Sequence, residues 1–234
     1  METASAATRL KSLLGLENRP VAVAFSDAPP AGLRRIELPA VSGCTYWKLA
    51  AEGQAFYTEA EDHFGCPIGA YTHNVSLTPA KQQELQGMVG MMVQLEYIRA
   101  EEISQIPRRR RPFGIASYAP LDAAPFSPDV VIVRGNARVV MLLAEAAGAA
   151  GAPLQGGVMS RPTCAFIPVT ADDGRAAASA GCVGNRVYTG LRDDEMYFSI
   201  PGPRLGAIVS RLEIIVGANR EMESFHRSRL PAVT

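Results

Sequence analysis

Apolar side chains recur at helical spacing from Ala7 to Leu16 and stop at Asn18-Arg19-Pro20, which predicts a first helix. Pro20-Val21-Ala22-Val23-Ala24-Phe25 is continuously apolar and is closed by Ser26-Asp27-Ala28-Pro29-Pro30, the pattern of a buried strand. A short helix is expected from Thr45 to Glu52, ending near Gly53. Thr78-Pro79 sets a hydroxyl N-cap before a proline at the first helical position, and predicts a helix from Pro79 to Leu95 despite Gly87 and Gly90. Ala100 to Ile106 reads as another short helix, closed by Pro107. Strands are expected at Phe113 to Ser117 and, from a stronger run, at Asp129 to Val133. The second passes through a turn at Arg134-Gly135-Asn136 into an Ala/Leu-rich helix from Ala137 to about Ala147. Gly151 through Gly157 must be loop or bulge, and further strands fall near Ala176 to Ala180 and Glu195 to Ile200. Pro201-Gly202-Pro203 then opens a closing helix to about Val216, with Gly217 as its cap and 218–234 as a polar tail.

Strand, turn and helix in succession begin a βα unit, so the expected fold class is α/β or α+β, one domain over residues 1–234 with a mixed sheet. Two proline-led hydrophobic strands, Pro20 to Phe25 and Pro128 to Val133, each precede a pair of cysteines, which adds a possible internal pseudo-duplication. Composition changes this picture little: 47% apolar and 20% charged residues are ordinary for a globular chain. Charge excludes more. With 23 basic and 23 acidic residues the net charge is zero, which argues against nucleic acid or an anionic membrane as partner. The opening Met-Glu-Thr-Ala-Ser lacks the apolar stretch of a secretory signal, and no apolar run reaches the roughly 18 residues of a membrane span, so a cytoplasmic protein is expected.

Chemistry enters with four cysteines in two similar pairs. In the first, Gly43-Cys44-Thr45-Tyr46-Trp47 is followed by Gly53 and then Gly65-Cys66-Pro67-Ile68-Gly69. In the second, Thr163-Cys164-Ala165-Phe166 is followed by Gly174 and then Gly181-Cys182-Val183-Gly184. Disulfides rarely persist in a reducing compartment, which makes them the weaker reading. If the two halves fold alike, the four thiols converge on one point. Cys66 and Cys182 lie in glycine-flanked turns, whose exposed N–H groups can bond to thiolate or sulfide. There is no Cys-x-x-Cys, and free cysteines are often buried as small hydrophobes, so four separate packing thiols remain an open reading, Cys164 before Ala165-Phe166-Ile167 fitting it best. Soft thiolates serve zinc and iron alike. Ligands spread over separate loops suit a cofactor at the centre of a domain, so an iron–sulfur cluster, 4Fe-4S among its forms, is the first reading; zinc or no metal are the alternatives.

The string Cys44-Thr-Tyr-Trp-Lys-Leu-Ala, with Asp62-His63-Phe64-Gly65-Cys66-Pro67-Ile68-Gly69, resembles a bacterial and archaeal family designated domain of unknown function 169. Ala180-Gly181-Cys182-Val183-Gly184-Asn185-Arg186 and Ser199-Ile200-Pro201-Gly202 resemble it too. The resemblance runs from Leu13 to about Val216. It implies a single domain of that type and a pairing of the cysteine segments, and no particular activity.

Around the thiols, His63 and His73 flank Cys66 and are candidates for a supporting shell, with a surface or capping role as the alternative for His63. Arg186 follows Cys182 closely and either forks onto an anion near the thiols or pairs with Asp193, Asp194 or Glu195. Arg108 to Arg111, set between prolines, reads as a solvated loop or subunit contact, and His226 as inert. Met88, Met91 and Met92 at helical spacing read as core filler. No P-loop or Gly-x-Gly-x-x-Gly is present. The function expected first is a cofactor protein with a redox or electron-transfer role toward a small-molecule or redox partner. The alternatives are a metal-free small-molecule binding or sensing domain, a structural zinc site, and a Cys–His hydrolase. Whether the chain is an enzyme stays open, as does a homodimer formed through the apolar helices 137–147 and 205–216.

Overall fold

A computed structural model of the chain describes residues 2–157 and 159–230. In chain order the elements are α1 (Thr3–Leu14), β1 (Val21–Ser26), β2 (Arg34–Arg35), α2 (Gly43–Ala51), β3 (Phe56–Glu59), α3 (Pro67–Thr72), α4 (Pro79–Gln94) and β4 (Ile115–Pro120). There follow β5 (Val130–Asn136), α5 (Ala137–Ala149), α6 (Phe166–Asp173), β6 (Ala177–Ser179), α7 (Val183–Thr189), β7 (Glu195–Pro201) and α8 (Leu205–Ser228). The strands form one sheet in the order β2-β3-β4-β1-β5-β7-β6, antiparallel throughout except between β2 and β3. It is a mixed sheet in an α/β chain, as the pattern of apolar runs predicts.

Strand residues point alternately to the two faces, and both faces are covered. Val131 and Val133 of β5, with Phe198 and Ile200 of β7, pack on α1, α5 and α8. Val130 and Ile132, with Val23 of β1 and Tyr197 of β7, face the opposite way onto α2, α3 and α6. Cys44 and Cys164 are members of this second core, Cys66 caps α3, and Cys182 caps α7, which packs on α2.

The expected duplication takes concrete form in the strand order. The first half supplies β1, β3 and β4, which lie side by side as β1-β4-β3; the second supplies β5, β6 and β7, which lie as β5-β7-β6. The two first strands, β1 and β5, pair antiparallel at the centre. Within each half, one cysteine falls between the first and second strands and another between the second and third: Cys44 and Cys66, then Cys164 and Cys182. A two-fold relation normal to the sheet carries one half onto the other and keeps both cysteine pairs on the same face. The halves differ in what is inserted. Residues 73–114, including α4, separate α3 from β4, whereas only 190–194 separate α7 from β7.

Several sequence expectations change. Arg134-Gly135-Asn136 is no turn: these residues pair with Tyr197, Met196 and Glu195, and β5 runs straight into α5, with Asn136 Oδ1 accepting the Val139 N–H at 3.1 Å. Ala100 to Ile106 is a 3-10 turn over Ala100–Gln105. The last helix does not stop at Val216; it continues through the residues read as a tail to Ser228, while 231–234 lie outside the described residues. Its apolar stripe of Leu205, Ile208, Val209, Leu212 and Val216 ends there, and the exposed extension carries pairs such as Glu223 with Arg227 and Arg138. Gly217 is therefore an interior helical residue, where a Cβ would meet nothing within 4 Å. Gly217→Ala should stabilise the protein by about 0.5–1 kcal/mol in urea titration; no gain would mean the extension is not helical in solution.

Candidate functional site

Each cysteine sits at the start of a helix or helical turn. Cys44 is the second residue of α2, after the N-cap Ser42. Cys66 caps α3 and Cys182 caps α7. Cys164 lies in the 3-10 turn Thr163–Ala165 that leads into α6. Helix α2 packs on α7 and α3 packs on that turn, so Cys44 is brought toward Cys182 and Cys66 toward Cys164, across the two halves. All four thiols line one cavity of about 640 Å³. None is in a disulfide.

The polar groups around the sulfurs were not singled out by the sequence. Ser42 Oγ stands 3.3 Å from Cys44 Sγ. Thr72 Oγ1 stands 3.2 Å from Cys164 Sγ. The Asn185 N–H donates to Cys182 Sγ at 3.4 Å, and Thr163 Oγ1 accepts the Cys182 N–H at 2.5 Å. Ser42 had a legible signal, a hydroxyl three residues before Thr45 at a helix start. Thr72, Thr163 and Asn185 had none, because their role depends on packing between the halves.

Burial dominates the thiol electrostatics. It pushes Cys44 up to about 11, against the Ser42 hydroxyl and the nearby Asn185 amide; charge on Cys66 or Cys182 pushes it higher. Burial also raises Cys164 well above the ordinary range, with Cys66 as the next cause and Cys44 and Cys182 adding to it, while Thr72 opposes. As free thiols these two stay protonated at neutral pH, and every ionised neighbour makes the next ionisation harder.

His63 and His73 are not at the surface. Both are about 1% exposed, with ring centroids 5.9 Å apart, and both pack against Phe113. His73 Nδ1 donates to the Gly69 carbonyl at 2.7 Å and lies 3.1 Å from Thr72 Oγ1, so it backs the Cys164 neighbourhood through that threonine. His63 Nε2 stands 2.9 Å from Thr58 Oγ1, which itself donates to the Ala116 carbonyl. Among the described residues, His63 Nδ1 and His73 Nε2 have no hydrogen-bond partner. Burial pushes His63 down to about 3, with His73 adding to it, and His73 down to about 4, with Arg109 adding to it. Among the described residues neither imidazole bonds to a cysteine, so the nucleophile–base pair that a Cys–His hydrolase requires is not formed.

Arg186 takes the ion-pair alternative: it reaches Asp193 at 3.1 Å and the Ala180 carbonyl at 2.7 Å. The arginine block is not simply solvated. Arg109 is largely buried over the Phe25 ring and beside Asp172, and the Arg110 N–H donates to Asp172 at 2.7 Å. His226 stays outside the site, packed edge-on to Phe225 in α8. The methionines are not core filler, since α4 buries no residue: Met88 and Met92 line the cavity and Met91 is exposed. Among the described residues no helix is long and apolar enough to cross a membrane, and no group of three or more His, Cys, Asp or Glu side chains is assembled in a form that could hold a metal ion.

Fold and site together define a duplicated α/β protein whose four cysteines line one cavity. The chain belongs to the family described as uncharacterised ArCR, domain of unknown function 169, which it matches over residues 9–211. It is also similar to an uncharacterised protein of Methanocaldococcus jannaschii, 26% identical over 170 residues that cover 69% of this chain and 71% of that one. No solved structure matches the chain.

Proposed function

We propose that Cys44, Cys66, Cys164 and Cys182 hold an iron–sulfur cluster and that the protein serves a redox reaction or electron transfer. The observation that supports this reading is that four thiols, two from each half, line a single cavity. Their surroundings fit the group: Ser42, Thr72 and the Asn185 N–H are placed to donate to thiolate sulfur, and the Asn185 amide lies buried beside Cys44 without a hydrogen bond of ordinary geometry. When bound, such a cluster supplies one-electron transfer at a potential set by these hydrogen bonds and by burial. A zinc ion held by four thiolates is redox-inert and serves structure alone, whereas a cluster can pass an electron to a molecule in the adjoining cavity.

Protein purified without oxygen should be brown and contain both iron and acid-labile sulfide. Changing any one cysteine to serine should cut the iron content to less than half. Colourless protein with stoichiometric zinc, or with no metal at all, would sink the proposal.

A further inference from the structure

The cavity beside the thiols has an owner in the fold. Helix α4 and the segment after it belong to the 73–114 insertion, which has no counterpart in the second half. On α4, Leu85, Met88, Val89 and Met92 recur at helical spacing, are only half-buried, and all line the cavity. A helix that buries nothing in the protein core thus turns its apolar stripe toward this space. The one charged side chain among the described lining residues is Arg161, which sits 5.2 Å over the Tyr97 ring and 3.9 Å from Glu102. A nucleotide, phosphate or sugar would find almost no polar partner here.

One polar group does wait. Asn185 is 1% exposed and lines the cavity, and among the described residues neither its Oδ1 nor its Nδ2 has a hydrogen bond of ordinary geometry. Its Oδ1 lies beside Gly181, at which an added Cβ would stand 3.0 Å from that oxygen. Cys44 and the Tyr197 hydroxyl lie beside the amide without a hydrogen bond of ordinary geometry, and its nitrogen carries two hydrogens for the acceptors it meets. An unmet buried donor at the thiol end of an apolar cavity calls for a carbonyl oxygen on an otherwise apolar molecule.

We infer that this cavity binds an uncharged, apolar, ring-sized small molecule that presents a carbonyl oxygen to Asn185 beside Cys44. Its volume, about 640 Å³, lies within the range of small-ligand sites, roughly 300–1,000 Å³. A quinone is the fitting chemical class. Only the choice of a redox-active carbonyl compound rests on the function proposed above; the binding claim rests on the cavity.

The test uses 2,3-dimethyl-1,4-naphthoquinone, whose ring carbons next to the carbonyls are blocked against thiol addition. Equilibrium dialysis should show saturable binding of one molecule per chain. Val89→Trp and Met92→Trp, both on the half-exposed stripe, should each weaken it at least tenfold while iron and sulfide content stay unchanged. 2,3-Dimethylnaphthalene, which lacks the carbonyls, should bind at least tenfold more weakly than the quinone, and Asn185→Leu should remove that preference. Absence of saturable binding overturns the inference, as does binding that ignores both tryptophans. So does a chain dimer that Val89→Trp dissociates, since the stripe would then belong to a second copy. Iron retained without quinone binding defeats the cavity assignment alone; quinone binding without iron or sulfide defeats the cluster alone.

Discussion

Between pH 7 and pH 4.5 the metal-free protein should lose about 5 kcal/mol of stability through His63 and His73 alone. Both imidazoles are buried and neutral, pushed from 6.5 to about 3 and about 4. The unfolded chain binds their protons near pH 6.5, whereas the folded chain does not until the pH falls toward 4 and then 3. Protons therefore favour unfolding throughout that window, so stability is intact above it and declines as the pH drops. Near pH 5 the two groups together give a slope of about 2–3 kcal/mol per pH unit. Carboxylates add to acid unfolding, so the decisive measurement is a difference. His63→Gln should keep a donor toward Thr58 and lower the slope between pH 6.5 and 5 by about 1 kcal/mol per unit in urea titrations. An unchanged slope would show that His63 takes up its proton in the folded state.

This acid sensitivity was not legible in the sequence, and the reason is physical. A histidine in Asp62-His63-Phe64-Gly65 has the neighbours of a surface turn. Its burial follows from contacts with Phe113 and Tyr46, which are far from it along the chain. The long or strongly patterned elements were legible: β1, β5, α4 and α5 lie where apolar runs and the cap Thr78 place them. The short elements that carry the thiols were not. Pro168 falls inside α6, and Gly184 inside α7, so each reads locally as a helix breaker. Phe56-Tyr57-Thr58-Glu59 is too short an alternation to announce an inner strand, yet β4 fixes it as one. What the sequence did carry was the cysteine pairing, because it follows the duplicated strand order directly. Helix α4 shows the opposite case: its methionine spacing was visible, but a stripe facing a cavity and a stripe facing a core have the same period.

The duplicated halves are locked where β7 ends, and Gly202→Ala should unfold the protein or cost at least about 4 kcal/mol. A Cβ at Gly202 would stand 1.7 Å from the Pro128 carbonyl oxygen and 2.5 Å from its carbon. Both are backbone atoms, so no side chain can turn aside. Nor can that backbone retreat. The Gly202 N–H donates to the Asp129 carbonyl at 2.8 Å, the Asp129 N–H donates to the Val23 carbonyl at 2.9 Å, and the Asp129 carboxylate accepts the Phe25 N–H at 2.7 Å. One residue thus ties β1 and the start of β5 to the end of β7. Relieving the collision means breaking the sheet at its centre or withdrawing α8 and its stripe from the first core. Overpacking in a yielding site costs about 1–3 kcal/mol, and a domain of this kind has about 5–15 kcal/mol in all, so the substitution removes a large share of stability. The urea midpoint of Gly202→Ala, set beside that of Gly217→Ala farther along the same chain segment, reads the effect directly. The two substitutions add the same methyl group and should move the midpoint in opposite directions, and a loss below about 1.5 kcal/mol at Gly202 would mean that β5 and β7 do not approach this closely.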